Sequence, residues 1–418
     1  MMIRLNREIE VRIRNLPLGA RILVGLSGAL AICIYGSVAY MLFRNHLIDG
    51  AFTETSKCPA CYGASFCSKF KQGKVKLSGW SKSRLLDFAN VKNIHYGWSG
   101  NTAVVLKKLG HDRDLVTIDT NICKLAVNKE YCDVSNAIEK IKILEDLTLE
   151  PHELEGLSRS SSCPSQRLLT RMVDNYKEKR SSSVMGLRDY ANFLTTYMVN
   201  QEPLVIQAFP QKEGWPFVKY LGACGRYIVE EYVGDTLDTY YHATWEERID
   251  LALQILQITD TLTENKAGFA LYWTNIDYET FAVNSEGQVV IIDAENVIIV
   301  DKDKIKREKP HGWDEDYISK FEECPTGHEC KTFKPTDLCT NLKSDHNYFM
   351  VCRYILSSYA KTRTKPGGLL HDLPDNINME YNLESLLEEC ARPPNGKSRF
   401  DIKDQLLDIL LKLKLQYF

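Results

Sequence analysis

Between Ile22 and Phe43 the chain carries no charged residue, a run of 22 residues reading "ILVGLSGALAICIYGSVAYMLF". As a helix, at about 1.5 Å per residue, such a run matches a bilayer core of roughly 30 Å. It is longer than the apolar core of a typical signal peptide. Before it stand Arg4, Arg7, Arg12, Arg14 and Arg21 against Glu8 and Glu10. That excess of arginine predicts a cytosolic N-terminus, with everything after the span in a lumen or outside the cell. A cleaved signal sequence and a buried core helix are the competing readings. "GSVAYML" supplies small residues but no clear cleavage site.

Cysteine usage agrees with a lumenal home. Of 13 cysteines, Cys33 lies in the apolar span. The remaining twelve form an even set, enough for six disulfides, whose pairing sequence alone does not fix. They crowd in "CPACYGASFC", with Cys58, Cys61 and Cys67, and again at Cys324, Cys330 and Cys339. A redox CxxC sits at a helix N-terminus after a strand, whereas "CPAC" follows a polar stem. No second CxxC or HxxxH completes a zinc set. Structural disulfides are the preferred reading. Lys and Arg number 52 against 55 Asp and Glu, a net charge of −3, so no basic surplus points to a nucleic-acid partner. No N-x-[ST] sequon occurs.

Past a short stem, "KVKLSGW" and "VKNIHYGWSGNTAVVLKKLG" alternate in hydrophobicity and predict strands around a glycine-containing turn. From His111 to Asn200 the apolar spacing is near 3.6 in "VSNAIEKIKILEDL", "PSQRLLTRMVDNYKEKR" and "VMGLRDYANFLTTYMV", interrupted by serine-rich loops. Strands are expected again in "PLVIQAF", "FVKYLGACG" and "RYIVEEYVG". After Asp235 helices dominate. The first, "TWEERIDLALQILQITDTLTE", has Thr244 placed to cap it and Glu247 three residues on.

A strand-rich half that meets a helix-rich half at "VEEYVGDTL" has the order of a protein kinase. The segments "CPACYGASFC", "LLDFANVKN", "VVLKKLG", "CPSQRLL", "EGWPFVKYLGACGR", "FALY", "VIIDAENV", "DHNYFMVC" and "GGLLHD" resemble the divergent protein kinase domain 2 family of secretory-pathway kinase-like proteins, nearest its deleted-in-autism branch. They run from about residue 58 to 390. The resemblance implies an α+β, two-lobed protein-kinase-like fold behind an N-terminal transmembrane helix. It divides the chain into a cytosolic 1–21, a signal anchor 22–43, a stem 44–56, a β-rich lobe 57–233 with a Cys-rich start and a helical Cys-containing insert, and a helical lobe 234–418.

On that frame Lys107, ending the β-branched strand "TAVVLK", takes the place of the lysine that holds nucleotide phosphates. Lys108 would point to the other face. Gly97 and Gly100 offer a weak version of the glycine-rich phosphate cover, or an ordinary hairpin turn. In the hinge, the Val233 N–H and the Glu231 carbonyl would face adenine. Glu230 then falls where an apolar gatekeeper usually stands, a costly place for a carboxylate unless it pairs with Lys107. Asp293 ends a buried strand as the magnesium-binding Asp of kinases does. Eighteen residues earlier, Asn275 occupies the place of the catalytic base, and Thr280 that of the second metal ligand. Asp277 is a candidate substitute base, with Glu279 another. Asp345 would brace the catalytic loop by accepting backbone N–H groups. For the acid that pairs with Lys107, the candidates are Asp114, Asp119, Glu139 and Glu178.

A positioned general base contributes about 10²–10⁴-fold, and Asn275 cannot take up a proton. The expected protein binds ATP with Mg²⁺ or Mn²⁺ and transfers phosphate weakly or not at all. Such a pseudokinase would act by binding secreted or cell-surface proteins, or as a secreted signal. The alternative is an active lumenal kinase phosphorylating secreted proteins or glycans. Either would reside in the Golgi or endoplasmic reticulum membrane in type II orientation, or be released by processing. Thiol–disulfide exchange at Cys58 and Cys61 is a third reading.

Overall fold

The computed structural model describes residues 17–43, 46–48, 50–78, 93–141, 162–178, 185–321 and 335–417. The arginines at positions 4–14, the motif at 85–92, and Cys324 and Cys330 lie outside them. The first helix, α1 (Leu18–Phe43), is the one helix among the described residues long and apolar enough to cross a membrane. Its apolar window covers Leu18–Val38 and is not buried in the protein.

Behind it, five strands form an antiparallel sheet: β1 (Val75–Leu77), β2 (Ile94–Ser99), β3 (Thr102–Lys107), β4 (Tyr220–Cys224) and β5 (Tyr227–Glu231), in spatial order β1-β2-β3-β5-β4. Tyr96 pairs with Val105, Val105 with Glu230, and Ile94 with Lys107. Because side chains alternate across a strand, these residues share one face of the sheet. The other face packs Val75, Leu77, Val104, Leu106, Tyr227 and Val229 against Phe66 and Phe70. Leu47 and Phe52 join that core. The segment read above as a stem is therefore built into the globular body, by two apolar side chains that a free stem would expose.

Between β3 and β4 run α2 (Asp112–Val127), α3 (Gln166–Asn175), α4 (Leu187–Val199) and α5 (Glu202–Ala208). The last corrects an expected strand in "PLVIQAF". Every residue of α5 is buried, and a short apolar run buried all round carries no period to separate helix from strand. The deciding signal is Pro203 in the first turn, where a missing N–H costs nothing.

The C-terminal half is helical as expected. Its long helix α6 (Trp245–Thr263) is capped by Thr244, whose side chain accepts the Glu247 amide at 3.3 Å. β7 (Phe269–Trp273) pairs with β10 (Val297–Asp301), and β6 (Gly234–Thr236) with β8 (Phe281–Asn284) and β9 (Val289–Ile291). Behind them stand α7 (His346–Val351), α8 (Leu383–Ala391) and α9 (Arg399–Tyr417).

Five disulfides occur among the described residues: Cys58–Cys61, Cys67–Cys224, Cys123–Cys132, Cys163–Cys339 and Cys352–Cys390. They suit an oxidising compartment. Cys61 is fully buried, and the pair follows a short 3₁₀ turn rather than opening a helix. That is the setting of a staple and not of an exchanging thiol. The Cys163–Cys339 bridge ties the start of α3 to the C-terminal half. Arg167 of α3 adds to the tie, donating to Asp301 at 2.7 Å and to the carbonyls of Ala267 and Gly268.

Candidate active site

Lys107 ends β3 with its side chain on the face shared by Glu230. Its ammonium lies 2.5 Å from Glu202 Oε1, 2.9 Å from Glu230 Oε2 and 2.5 Å from the Ile292 carbonyl oxygen. All three side chains are nearly closed to solvent, at 12%, 4% and 2% exposure for Lys107, Glu202 and Glu230. Two of the ammonium's three N–H donors go to Glu202 and the Ile292 carbonyl, and Glu230 adds an ion pair. Burial works against the charge on Lys107, but Glu202, Glu230 and Asp293 outweigh it and raise its pKa.

The acid opposite Lys107 is thus Glu202, at the start of α5, and none of the four expected. Asp119 instead pairs with Lys57 and the buried Arg226. Glu178 accepts the amides of Ala64 and Ser65 and the Tyr220 hydroxyl. Glu139 pairs with Arg188, and Asp114 lies exposed in the first turn of α2. Reading α5 as a strand hid Glu202, since a glutamate at a strand edge gives no reason to look for a partner. Lys108 points away, as alternation requires, to Glu54 and Asp112 at 2.7 Å each.

Carboxylate oxygens of Glu202, Asp293 and Glu295 lie within 4.8 Å of one another. Asn200 holds the group together: its Nδ2 donates to Glu295 at 2.7 Å and its Oδ1 accepts the Glu202 amide at 2.8 Å. Burial raises the Glu202 pKa well above the carboxylate range; Lys107 opposes this, while Glu230 and Asp293 reinforce it. Desolvation, then the Asp293 charge, raise that of Glu295. Three converging carboxylates form a donor set suited to a hard divalent cation such as Mg²⁺ or Mn²⁺. Thr280 is not in this group.

The loop after β7 is arranged differently from the expectation. Asn275 is exposed. Asp277 turns back on its own chain, accepting the amides of Glu279 at 2.8 Å and Thr280 at 3.1 Å. The Thr280 hydroxyl accepts the Asp277 amide at 3.1 Å, and Thr280 itself is 5% exposed. The exposed Glu279 follows on the same 3₁₀ turn.

A sequence profile described as the protein-kinase domain of FAM69 matches residues 194–393. Divergent protein kinase domain 2A of Xenopus tropicalis is 43% identical over 385 residues, covering 88% of this chain and 90% of the relative. The Homo sapiens protein of that name is 42% identical over 386 residues, with coverages of 88% and 90%. Divergent protein kinase domain 2B of Homo sapiens is 29% identical over 382 residues, 87% and 83% of the two chains. The chain belongs to the divergent protein kinase domain 2 family.

In this divergent protein kinase two further expectations change. Gly97 lies inside β2, where a Cβ would come within 2.6 Å of the Lys76 carbonyl oxygen, so close approach of β1 demands glycine there. Gly100 turns the β2–β3 hairpin at φ +62°. That hairpin is seven residues from Lys107, about 20 Å along a strand, too far to cover a phosphate held by the lysine. Asp345 does not reach the catalytic loop either. Fully buried, it pairs with Arg399 and accepts the Ser319 amide at 2.8 Å. Bracing of β7 falls to the next two residues. Asn347 Oδ1 accepts the Trp273 amide at 3.0 Å, and its Nδ2 donates to the Leu271 carbonyl at 2.8 Å. His346 Nε2 lies 2.7 Å from the Trp273 carbonyl.

The partly buried Val233 lies between β5 and β6, and Glu231 closes β5. The Glu231 amide donates to the Lys219 carbonyl at 3.0 Å.

Proposed function

We propose that this chain is a kinase-like protein of the secretory pathway. It binds ATP with Mg²⁺ or Mn²⁺, transfers phosphate weakly or not at all, and works by contact with secreted or cell-surface proteins. One observation carries the reading. Lys107, Glu202 and Asp293 lie together as a nucleotide site would need, while Asn275 stands in the place of the base and Asp277 turns an oxygen back on its own chain. Glu202, Asp293 and Glu295 would hold the cation, which when bound neutralises phosphate charge. Lys107 would orient the α- and β-phosphates, and Val233 and Glu231 the base, through their main-chain groups. The α1 helix would anchor the chain in Golgi or endoplasmic reticulum membrane with residues after 43 in the lumen.

The intact Lys107–Glu202 pair favours a second reading, an active lumenal kinase. Phosphoryl transfer depends chiefly on positioning and charge neutralisation, so loss of the base slows it without forbidding it. Thermal unfolding of the full chain in detergent, with ATP and Mn²⁺, separates these. Stabilisation with turnover below that of ordinary kinases, about 1–100 s⁻¹, is the expected outcome. Brisk turnover establishes the second reading, and no response to any nucleotide ends both. In sealed microsomes a C-terminal tag should resist protease until detergent is added; digestion without detergent refutes the lumenal placement.

A further inference from the structure

The Lys107 ammonium donates to Glu202 and to the Ile292 carbonyl and forms an ion pair with Glu230, which stands on the same sheet face. In an ordinary kinase the lysine keeps donors for phosphate and pairs with one glutamate. Around Lys107 stand Glu230 and the Glu202, Asp293 and Glu295 group. Four carboxylates thus face one ammonium. Glu230 is 1% exposed, and its Oε1 has no hydrogen-bond partner among the described residues. A buried carboxylate held by one contact has every reason to keep it, because breaking it leaves an unpaired buried charge.

We infer that this site takes nucleotide only as its divalent-cation complex and rejects free polyphosphate, and that Glu230 is the residue that imposes the choice. The inference rests on the nucleotide-binding reading above and names the form of ligand that site accepts. Free ATP brings about four negative charges into an acidic pocket whose lysine is already occupied, so like charges face each other without a counterion. A cation complex brings its own neutralisation to Glu202, Asp293 and Glu295. It draws Glu202 off Lys107 and opens a donor to phosphate. Glu230 acts through Lys107 and is a specificity-determining residue, not a catalytic one.

The test compares the full-length protein in detergent with Glu230→Leu and Glu230→Gln. Thermal shift and calorimetry use ATP in EDTA, ATP with Mn²⁺, and tripolyphosphate in EDTA. The native chain should respond to ATP with Mn²⁺ and show at least tenfold weaker binding in EDTA. Glu230→Leu should gain binding of ATP and of tripolyphosphate in EDTA, and Glu230→Gln should fall between. Unfolding without ligand shows that the variants are folded. Equal native binding with and without cation overturns the inference and leaves the nucleotide reading standing. Cation-free binding by Glu230→Leu beside a native chain silent in every condition overturns the inference together with the nucleotide reading, because the native site then takes no nucleotide in any form. No gain in either variant shows that Glu230 is not the obstacle and overturns the inference.

Discussion

Asp277 and Thr280 hold each other: Asp277 Oδ1 accepts the Thr280 amide at 3.1 Å, and Thr280 Oγ1 accepts the Asp277 amide at 3.1 Å. This is the reciprocal bonding of a capping box, placed on the 3₁₀ turn Tyr278–Thr280 that leads into β8. Asp277→Ala should therefore cost about 1 kcal/mol of stability, the usual worth of such a cap. Any phosphotransfer should be unchanged. A loss of activity without a loss of stability would make Asp277 the base after all.

Restoring a base needs one change rather than two. Asn275 is exposed and makes no demand on the fold, so Asn275→Asp should raise phosphotransfer, by up to ~10²–10⁴-fold. Thr280→Asn breaks the pair with Asp277 and buries a larger polar side chain, so the double variant should melt below the single one. Initial rates and unfolding midpoints measured together check both statements. Equal rates in the native chain and Asn275→Asp would mean that the loop does not face the reacting phosphate.

His346 gives a pH signature. Its Nε2 faces the Trp273 carbonyl at 2.7 Å and must carry the proton, so Nδ1 accepts from the Ser319 hydroxyl at 2.8 Å. Burial lowers its pKa from 6.5 to about 4. Between those values the unfolded chain takes up a proton that the folded chain refuses. Its contribution to stability is complete above pH 6.5 and is lost as pH falls toward about 4, by up to ~1.4 kcal/mol per unit. Buried acids such as Glu178 and Asp345 carry raised pKa values and act in the opposite sense. The native chain is therefore compared with His346→Gln, which should be less stable at pH 7 and show a shallower acid limb. Parallel pH curves would mean that His346 titrates normally.

The staples should differ in weight. Cys67–Cys224 closes a separation of 157 residues and Cys58–Cys61 one of 3. Loop-closure entropy assigns them roughly 5 and 2 kcal/mol. Paired Cys→Ser variants followed by urea unfolding should keep that order. A reversed order would show that local packing around Cys61 outweighs chain entropy.

Sequence made the two-lobed order, the long helices with their caps, Lys107 and Asp293 legible, because each rests on a local period or on a strand end. The pairing of Glu230 with Lys107 was also foreseeable, since a buried carboxylate must find a cation. Glu202 was not. It lies 95 positions from Lys107, and its helix is buried all round and so has no amphipathic face to read. The division of labour among Asp345, His346 and Asn347 escaped for another reason. Adjacent polar residues at the start of one helix compete for the same neighbours, and only the packing of Arg399 decides which of them keeps β7. Gly97 and Gly100 show the converse, a glycine pattern whose cause is strand approach and a hairpin turn rather than a ligand.

Many protein kinases are switched by moving the helix that carries the lysine's glutamate. Here that helix is α5, and it has little freedom to move. Arg171 of α3 donates to the Ala208 carbonyl at 2.7 Å, at the end of α5. α3 in turn is bound to the C-terminal half by Cys163–Cys339 and by Arg167 on Asp301. The bond that fixes α3 is covalent wherever disulfides persist. The backbone of α5, and with it the root of the Glu202 side chain, is thus moored by way of α3 to the half of the protein that carries Asp293. Where many kinases have a movable helix, this chain has one whose position is tied, through α3, to a covalent bridge.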